Sequence, residues 1–379
     1  MKKLIANLLI LFFIFLAGQS LSQDPRFGKI DDLPKGAKLL DTSYVYPLIV
    51  KDNKLFAIIR EANNFHIIIY SSSGKKLQSI YADKQKPYDE YISKGRPKLF
   101  VDNNNNIWIK SGNGLIIFNK DGVVINVVSS SFYDQVLGLM QGKENEILFS
   151  TLSGQYKTSD LGSTWELYDG TFPDIHDYWT LTFNGQSFDT IMYKLSNAQI
   201  NPVHMDHHGR FWGGSSLGLI YSDDNLNTWH VYDKVKIVET SKYLTLIDIV
   251  GINSKDDMLL DIVDHALWIK KHDEDRFRMM YQYKSEFEYD GNPQRMKYIC
   301  LCNNLVAFLD ARICEWYADP APNEEWVESY IKLSKDFGKT WKKFRLGHLI
   351  GVTDMALTSS SVYLTTSKGF IRIPFKYFH

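Results

Sequence analysis

Short apolar runs bounded by Gly, Asn, Asp or Ser recur along this chain, and no long segment of 3.6-residue periodicity competes with them. The clearest runs are Lys54–Ile59, Ile107–Lys110, Ile147–Thr151, Phe211–Gly213, Met258–Ile262, Leu305–Leu309 and Val362–Thr365. Each is followed by a polar or glycine-containing turn and then a second apolar run, which is the signature of an antiparallel hairpin. Successive runs start about 51 residues apart on average, a period close to one four-stranded blade. A four-stranded sheet cannot bury both faces alone, so seven such units pack radially and close a ring. The pattern therefore predicts an all-β fold, a β-propeller of seven four-stranded blades. The last unit offers only three strands, Met355–Leu357, Val362–Thr365 and Phe370–Phe375. Ala37–Leu40 is placed to supply the fourth, joining the two ends of the chain and removing an open edge.

Two motifs sit on this framework. Thr158 to Trp165, Ser222 to Trp229 and Ser334 to Trp341 each spell hydroxyl-x-Asp-x-Gly-x-Thr-Trp, with Leu226 replacing Gly in the second copy. Asp160, Asp224 and Asp336 can accept N–H groups across a tight loop, Gly162 and Gly338 supply positive φ, and Trp165, Trp229 and Trp341 pack beneath the turn. A leucine resists positive φ, so the second turn is expected to be distorted or to shift its strain elsewhere. The tryptophans lie 64 and 112 residues apart, which leaves one intervening unit without the motif. The octapeptide resembles the Asp-box (BNR) repeat of sialidase-like β-propellers, and that resemblance implies a structural role for these residues. The second motif runs from Asp102 through Trp108 to Ile117 and from Asp206 through Trp212 to Ile220. It resembles the propeller repeats of some two-component-regulator sensor regions.

The resemblance to sialidases stops at the repeats. Their Arg-Ile-Pro motif belongs near the start of the catalytic domain, whereas Arg372-Ile373-Pro374 falls in the final strand here. Seven units also disagree with the six-bladed sialidase ring.

The N-terminus adds a destination. Lys2 and Lys3 precede an apolar run from Leu4 to Ala17, followed by Ser20-Leu21-Ser22 as a small-x-small cleavage site. Residues 1–22 read as a signal peptide and 23–379 as a single propeller domain, periplasmic or secreted. The run is short for a bilayer span, so no stable membrane anchor is expected after cleavage. The formal charge of −1 becomes −3 without Lys2 and Lys3, which gives no overall basic balance for nucleic acid. Cys300 and Cys302 share one strand face and cannot bridge each other without distortion; with Cys314 they read as small buried hydrophobes.

Candidate chemistry gathers in the long connections. The segments Asp83–Lys98, Asp169–Pro202, Lys284–Lys297 and Ala311–Ser329 all map to the propeller face opposite the octapeptide turns. Within the second, Asn184-Gly185 predicts an extra hairpin. These segments combine aromatic rings with carboxylates, as a glycan, cationic or peptide site requires. The candidate ligand-binding residues are His176, Tyr178, Trp179, Tyr289, Arg312, Glu315, Trp316, Tyr317 and Trp326. His204, His207 and His208 suggest a metal, but Asp206 belongs to the repeat turn and puts His207 and His208 at a solvated tip; no metal or cofactor is expected. Asp248, Asp310 and Asp354 recur near inner or central strands, as channel-lining carboxylates or strand-end hydrogen-bond acceptors. The leading reading is an exported, non-catalytic propeller that binds a glycan, peptide or envelope protein partner. The rival is a propeller polysaccharide lyase or glycoside hydrolase using the same face, with His176 and Tyr178, or Glu315 and Asp319, as its acids and bases.

Overall fold

A computed structural model describes residues 33–61, 64–81, 98–111, 114–129, 136–151, 154–168, 180–183, 186–189, 201–215, 218–232, 247–262, 266–274, 277–282, 297–310, 329–347, 352–366 and 369–379. They form seven four-stranded antiparallel sheets arranged as a ring, a seven-bladed β-propeller, with one separate two-stranded hairpin. All seven apolar runs are the second strands of their blades: Lys54–Glu61, Ile107–Ser111, Ile147–Thr151, Phe211–Ser215, Met258–Ile262, Leu305–Asp310 and Ser361–Thr366. In blades 1 to 6 the strands follow one another outward in chain order from an innermost first strand, and blade 7 runs outward from Val352–Leu357 through Ser361–Thr366 and Gly369–Pro374.

These strands are apolar on both faces because each blade packs against two neighbours. Ile58, Ile67 and Ile69 of blade 1 meet Ile107, Ile109 and Ile116 of blade 2. The opposite face of blade 1 presents Leu55, Ala57 and Ile59 to Tyr363 and Phe370 of blade 7. Both seams are closed to water, so the core is a ring of sheet-to-sheet contacts.

The predicted closure is present. Lys38–Asp41 pairs antiparallel with Gly369–Pro374, with Leu39 opposite Ile371, and completes blade 7 as its outer strand. A second tie runs the other way: after the 3-10 turn Phe375–Tyr377, the backbone of His379 exchanges two hydrogen bonds with Lys343 of blade 6. Phe378 is buried there against Phe344, with ring centroids 5.4 Å apart.

The three octapeptide turns share one geometry. In each, the hydroxyl residue (Thr158, Ser222 or Ser334) donates to the Asp carboxylate. It also accepts the N–H of the residue at the glycine position. The Asp then accepts the threonine N–H across the loop at 2.8–2.9 Å. The Thr164 and Thr340 hydroxyls, followed by other bonds within the turns, hold Asp160 and Asp336 down at about 2.

Of the two outcomes expected at the second turn, distortion does not occur. Leu226 adopts φ +70°, close to Gly162 at +78° and Gly338 at +85°. The reason lies in the neighbouring blade. A side chain at Gly338 would overlap Met280, and one at Gly162 would crowd Ile117. Leu226 instead finds space beside Leu148, Phe211, Ile220 and Trp229, and its burial offsets the strained backbone.

The second motif is also a folding device. Asp102 and Asp206 each accept two backbone N–H groups of their own turn and the indole N–H six residues on, from Trp108 and Trp212 respectively. This fixes the indole ring against the blade while satisfying its polar atom.

The innermost strands are less regular than the sequence suggests. Six of the seven shift register, at Val45/Leu48, Val136/Gly138, Asn201/Val203, Ile249/Gly251, Lys297/Cys300 and Val352/Asp354. A bulge removes backbone groups from the ladder, and side chains of the adjacent blade take up several of them. Asp354 accepts the Leu48 N–H, Tyr298 donates to the Val352 carbonyl, and His204 bonds the Ile249 carbonyl, at 2.8, 2.8 and 3.0 Å.

Candidate functional site

Antiparallel strands place the first-to-second and third-to-fourth connections of every blade at one end of the ring. Second-to-third and blade-to-blade connections leave from the other end. At the first end no connection exceeds seven residues. At the other, five connections of fourteen to thirty-two residues emerge: 82–97, 169–200, 232–246, 283–296 and 311–328. The bulges of the innermost strands also fall at or before the strand midpoint, toward this same end. Bulges bend a strand and are common at rims beside binding sites.

The nine candidate ligand-binding residues lie in three of these connections. His176, Tyr178 and Trp179 are in 169–200, Tyr289 is in 283–296, and Arg312, Glu315, Trp316, Tyr317 and Trp326 are in 311–328. All nine lie outside the described residues, as does Cys314. What is fixed is where their segments attach. The strand ends bordering 169–200 and 311–328 belong to the same end of the ring, and Thr180–Phe183 pairs with Gln186–Asp189 as the hairpin predicted at Asn184-Gly185.

Several described polar side chains lie toward this end, in separate blades. Between blades 5 and 6, the Lys332 ammonium bonds Asp310 at 2.8 Å and also the Tyr281 hydroxyl, lying 4.6 Å from the Tyr281 ring centre. Burial works against the Lys332 charge, but the bonds to Asp310 and Tyr281 outweigh it and hold its pKa above the ordinary value. In blade 1, Tyr81 stacks on buried His66 at 5.0 Å while remaining 65% exposed. Near the innermost strands, burial raises Asp354 to about 6, against the N–H groups of Leu48 and Met355 that favour its charge.

Tyr281 and Lys332 were not singled out from sequence. A signal exists for the tyrosine, which is the penultimate residue of its outer strand, just before a long connection. Nothing in the sequence marks Lys332, because its partners come from another blade and another strand.

The other described candidates have ordinary partners, while the side chain of Asp248 lies outside the described residues. The histidines do not converge: His204 turns inward to the Ile249 carbonyl, and burial lowers it to about 4 against that bond. His207 and His208 face solvent and meet Asp256 at 2.7 and 3.5 Å. No group of three metal-ligating side chains occurs among the described residues. Asp354 and Asp310 are bonded to backbone and to Lys332 respectively. Arg372, of the Arg-Ile-Pro sequence, bonds the Ser361 hydroxyl. Cys300 and Cys302 are unbridged, and burial raises both thiols, Cys300 donating to the Met355 carbonyl.

Neither a protein-family model nor a curated protein sequence matches the chain. Solved structures do resemble it in fold. Virginiamycin B lyase from Staphylococcus aureus superposes with a TM-score of 0.53 at 10% identity, over 89% of this chain and 98% of that one. The extracellular domain of the one component system BT4673 from B. thetaiotaomicron gives 0.53 at 10% identity over 92% of this chain. The extracellular domain of the hybrid two component system BT3049 from the same source gives 0.50 at 13% over 90%. The match spans 40% and 41% of the latter two chains. At such identities the likeness establishes the class, a seven-bladed β-propeller, and no more.

Proposed function

We propose that this protein is an exported, non-catalytic β-propeller that binds a glycan, peptide or envelope partner at the end of the ring carrying the long connections. The observation that carries this reading is the asymmetry of the two ends: turns of at most seven residues at one, five connections of fourteen or more at the other. Compact domains join strands in a few residues, and longer connections usually serve recognition. The sequences of these connections are rich in Trp, Tyr and carboxylates, suited to sugar stacking and hydrogen bonding. Similar folds in extracellular domains of sensor systems support a ligand-binding use, and the leader-like N-terminus supports export.

A glycan and peptide array probed with the parent and Trp316→Ala tests the reading. The expected result is array binding that the substitution weakens at unchanged melting temperature, with no product released from bound sugars. Product release would instead assign the face to the lyase or hydrolase alternative.

A further inference from the structure

The opposite end of the ring is not chemically neutral. The octapeptide turn of blade 6 and the start of its outer strand, residues 335–343, carry four lysines against one acid, Asp336, in a chain of net charge −1. That acid is committed to its own turn, bonded by Ser334 and Thr340. Lys335, Lys339, Lys342 and Lys343 are all exposed, around the octapeptide turn and the start of the outer strand Lys342–Gly347. Two more exposed lysines join them from the chain ends. Lys376 lies on the 3-10 turn whose following residues dock on Lys343, and Lys35 lies beside Gly36, which abuts the Tyr377 ring. None of the six forms an ion pair among the described residues. Three lie over aromatic rings: Lys335 over Phe375 at 5.1 Å, Lys343 over Tyr330 at 5.0 Å and Lys376 over Tyr377 at 5.0 Å.

The connection at the other end of the same blade, 311–328, has one Arg against five Asp and Glu. In sequence, the lysine cluster and the acid-rich connection of blade 6 therefore attach to opposite ends of its strands.

We propose that this lysine-rich edge of blades 6 and 7 is a second docking surface, for an acidic polysaccharide. Separate ammonium groups on flexible stems recognise repeated negative charge, without the bidentate geometry that arginine gives to a single phosphate or carboxylate. The half-buried Phe375 and Tyr377 rings among them offer apolar faces for sugar rings. A lipid surface fits less well. Among the described residues, the exposed large apolar side chains are Leu77, Tyr81, Val123, Ile125, Leu167 and Met279, in blades 1, 2, 3 and 5, so none lies on the lysine edge itself as a wedge to insert.

The test is binding of the full chain to polygalacturonate, with dextran and phosphatidylglycerol-containing vesicles as comparisons. Binding is expected at about 50 mM salt and should weaken at least about tenfold at about 300 mM, because exposed charges are screened. Lys339→Gln/Lys342→Gln/Lys343→Gln should weaken it at least about tenfold at unchanged melting temperature, and Trp316→Ala should leave it intact. Dextran and vesicles should not bind. Absence of polygalacturonate binding at low salt, equal binding by the triple variant, or capture by vesicles in place of the polymer would each overturn the proposal.

Discussion

At Leu226 a backbone rule and a packing rule compete, and packing wins. A non-glycine residue in the left-handed region costs about 1–2 kcal/mol, while removing a buried leucine side chain costs about 2–5 kcal/mol. Leu226→Gly should therefore relieve strain yet lower stability by about 1–3 kcal/mol. Gly338→Ala should also destabilise, because Met280 occupies the space its side chain needs. Thermal melts of both variants check the pair, and a Leu226→Gly protein more stable than its parent would contradict the account. The sequence shows that Leu226 departs from the motif. It does not show that the preceding blade leaves room for it, since that depends on residues such as Leu148, 78 positions away.

At the scale of elements, the sheets were legible and their irregularities were not. Apolar runs bounded by turn residues located all seven second strands, and the missing strand of blade 7 pointed to the N-terminal partner. The inner-strand bulges left no trace, because an extra residue in a strand changes no composition. Their consequence is visible at Asp354, which joins blade 7 to Leu48 of blade 1. The titratable group whose charge interacts with it is Cys300 from blade 6, itself buried. Asp310 of blade 6 is paired with Lys332. Since burial raises Asp354 in the folded state to about 6, folding favours its protonated form. The stability from this group is complete below the unfolded carboxylate range near 4 and is lost as pH rises through about 6. Asp354→Asn surrenders one backbone acceptor but carries no charge. It should melt below the parent at pH 5, with the gap narrowing by pH 7.5; a gap that widens with pH would contradict this reading.

For the whole molecule, the ring separates a short-turn end from an end that carries five long connections, and it is this separation that the functional proposal uses. Loop alternation predicted the face from sequence alone, because strand direction fixes which connections share an end. It missed 232–246 as a fifth long connection, whose composition gave no aromatic or acidic signal strong enough to single it out. The cluster of Lys332 with Asp310 and Tyr281 was also hidden, since it arises where two blades meet. The most direct test is to shorten blade 6. Its second and third strands are joined by 311–328, whereas the other blades make that connection in two or three residues. Replacing 311–328 with Asn-Gly should preserve the ring, read as an unchanged melting temperature. The same protein should lose its glycan or peptide array signal while keeping polygalacturonate binding at the lysine edge. A folded variant that retains the full array signal would contradict the assignment of ligand binding to the long-connection end.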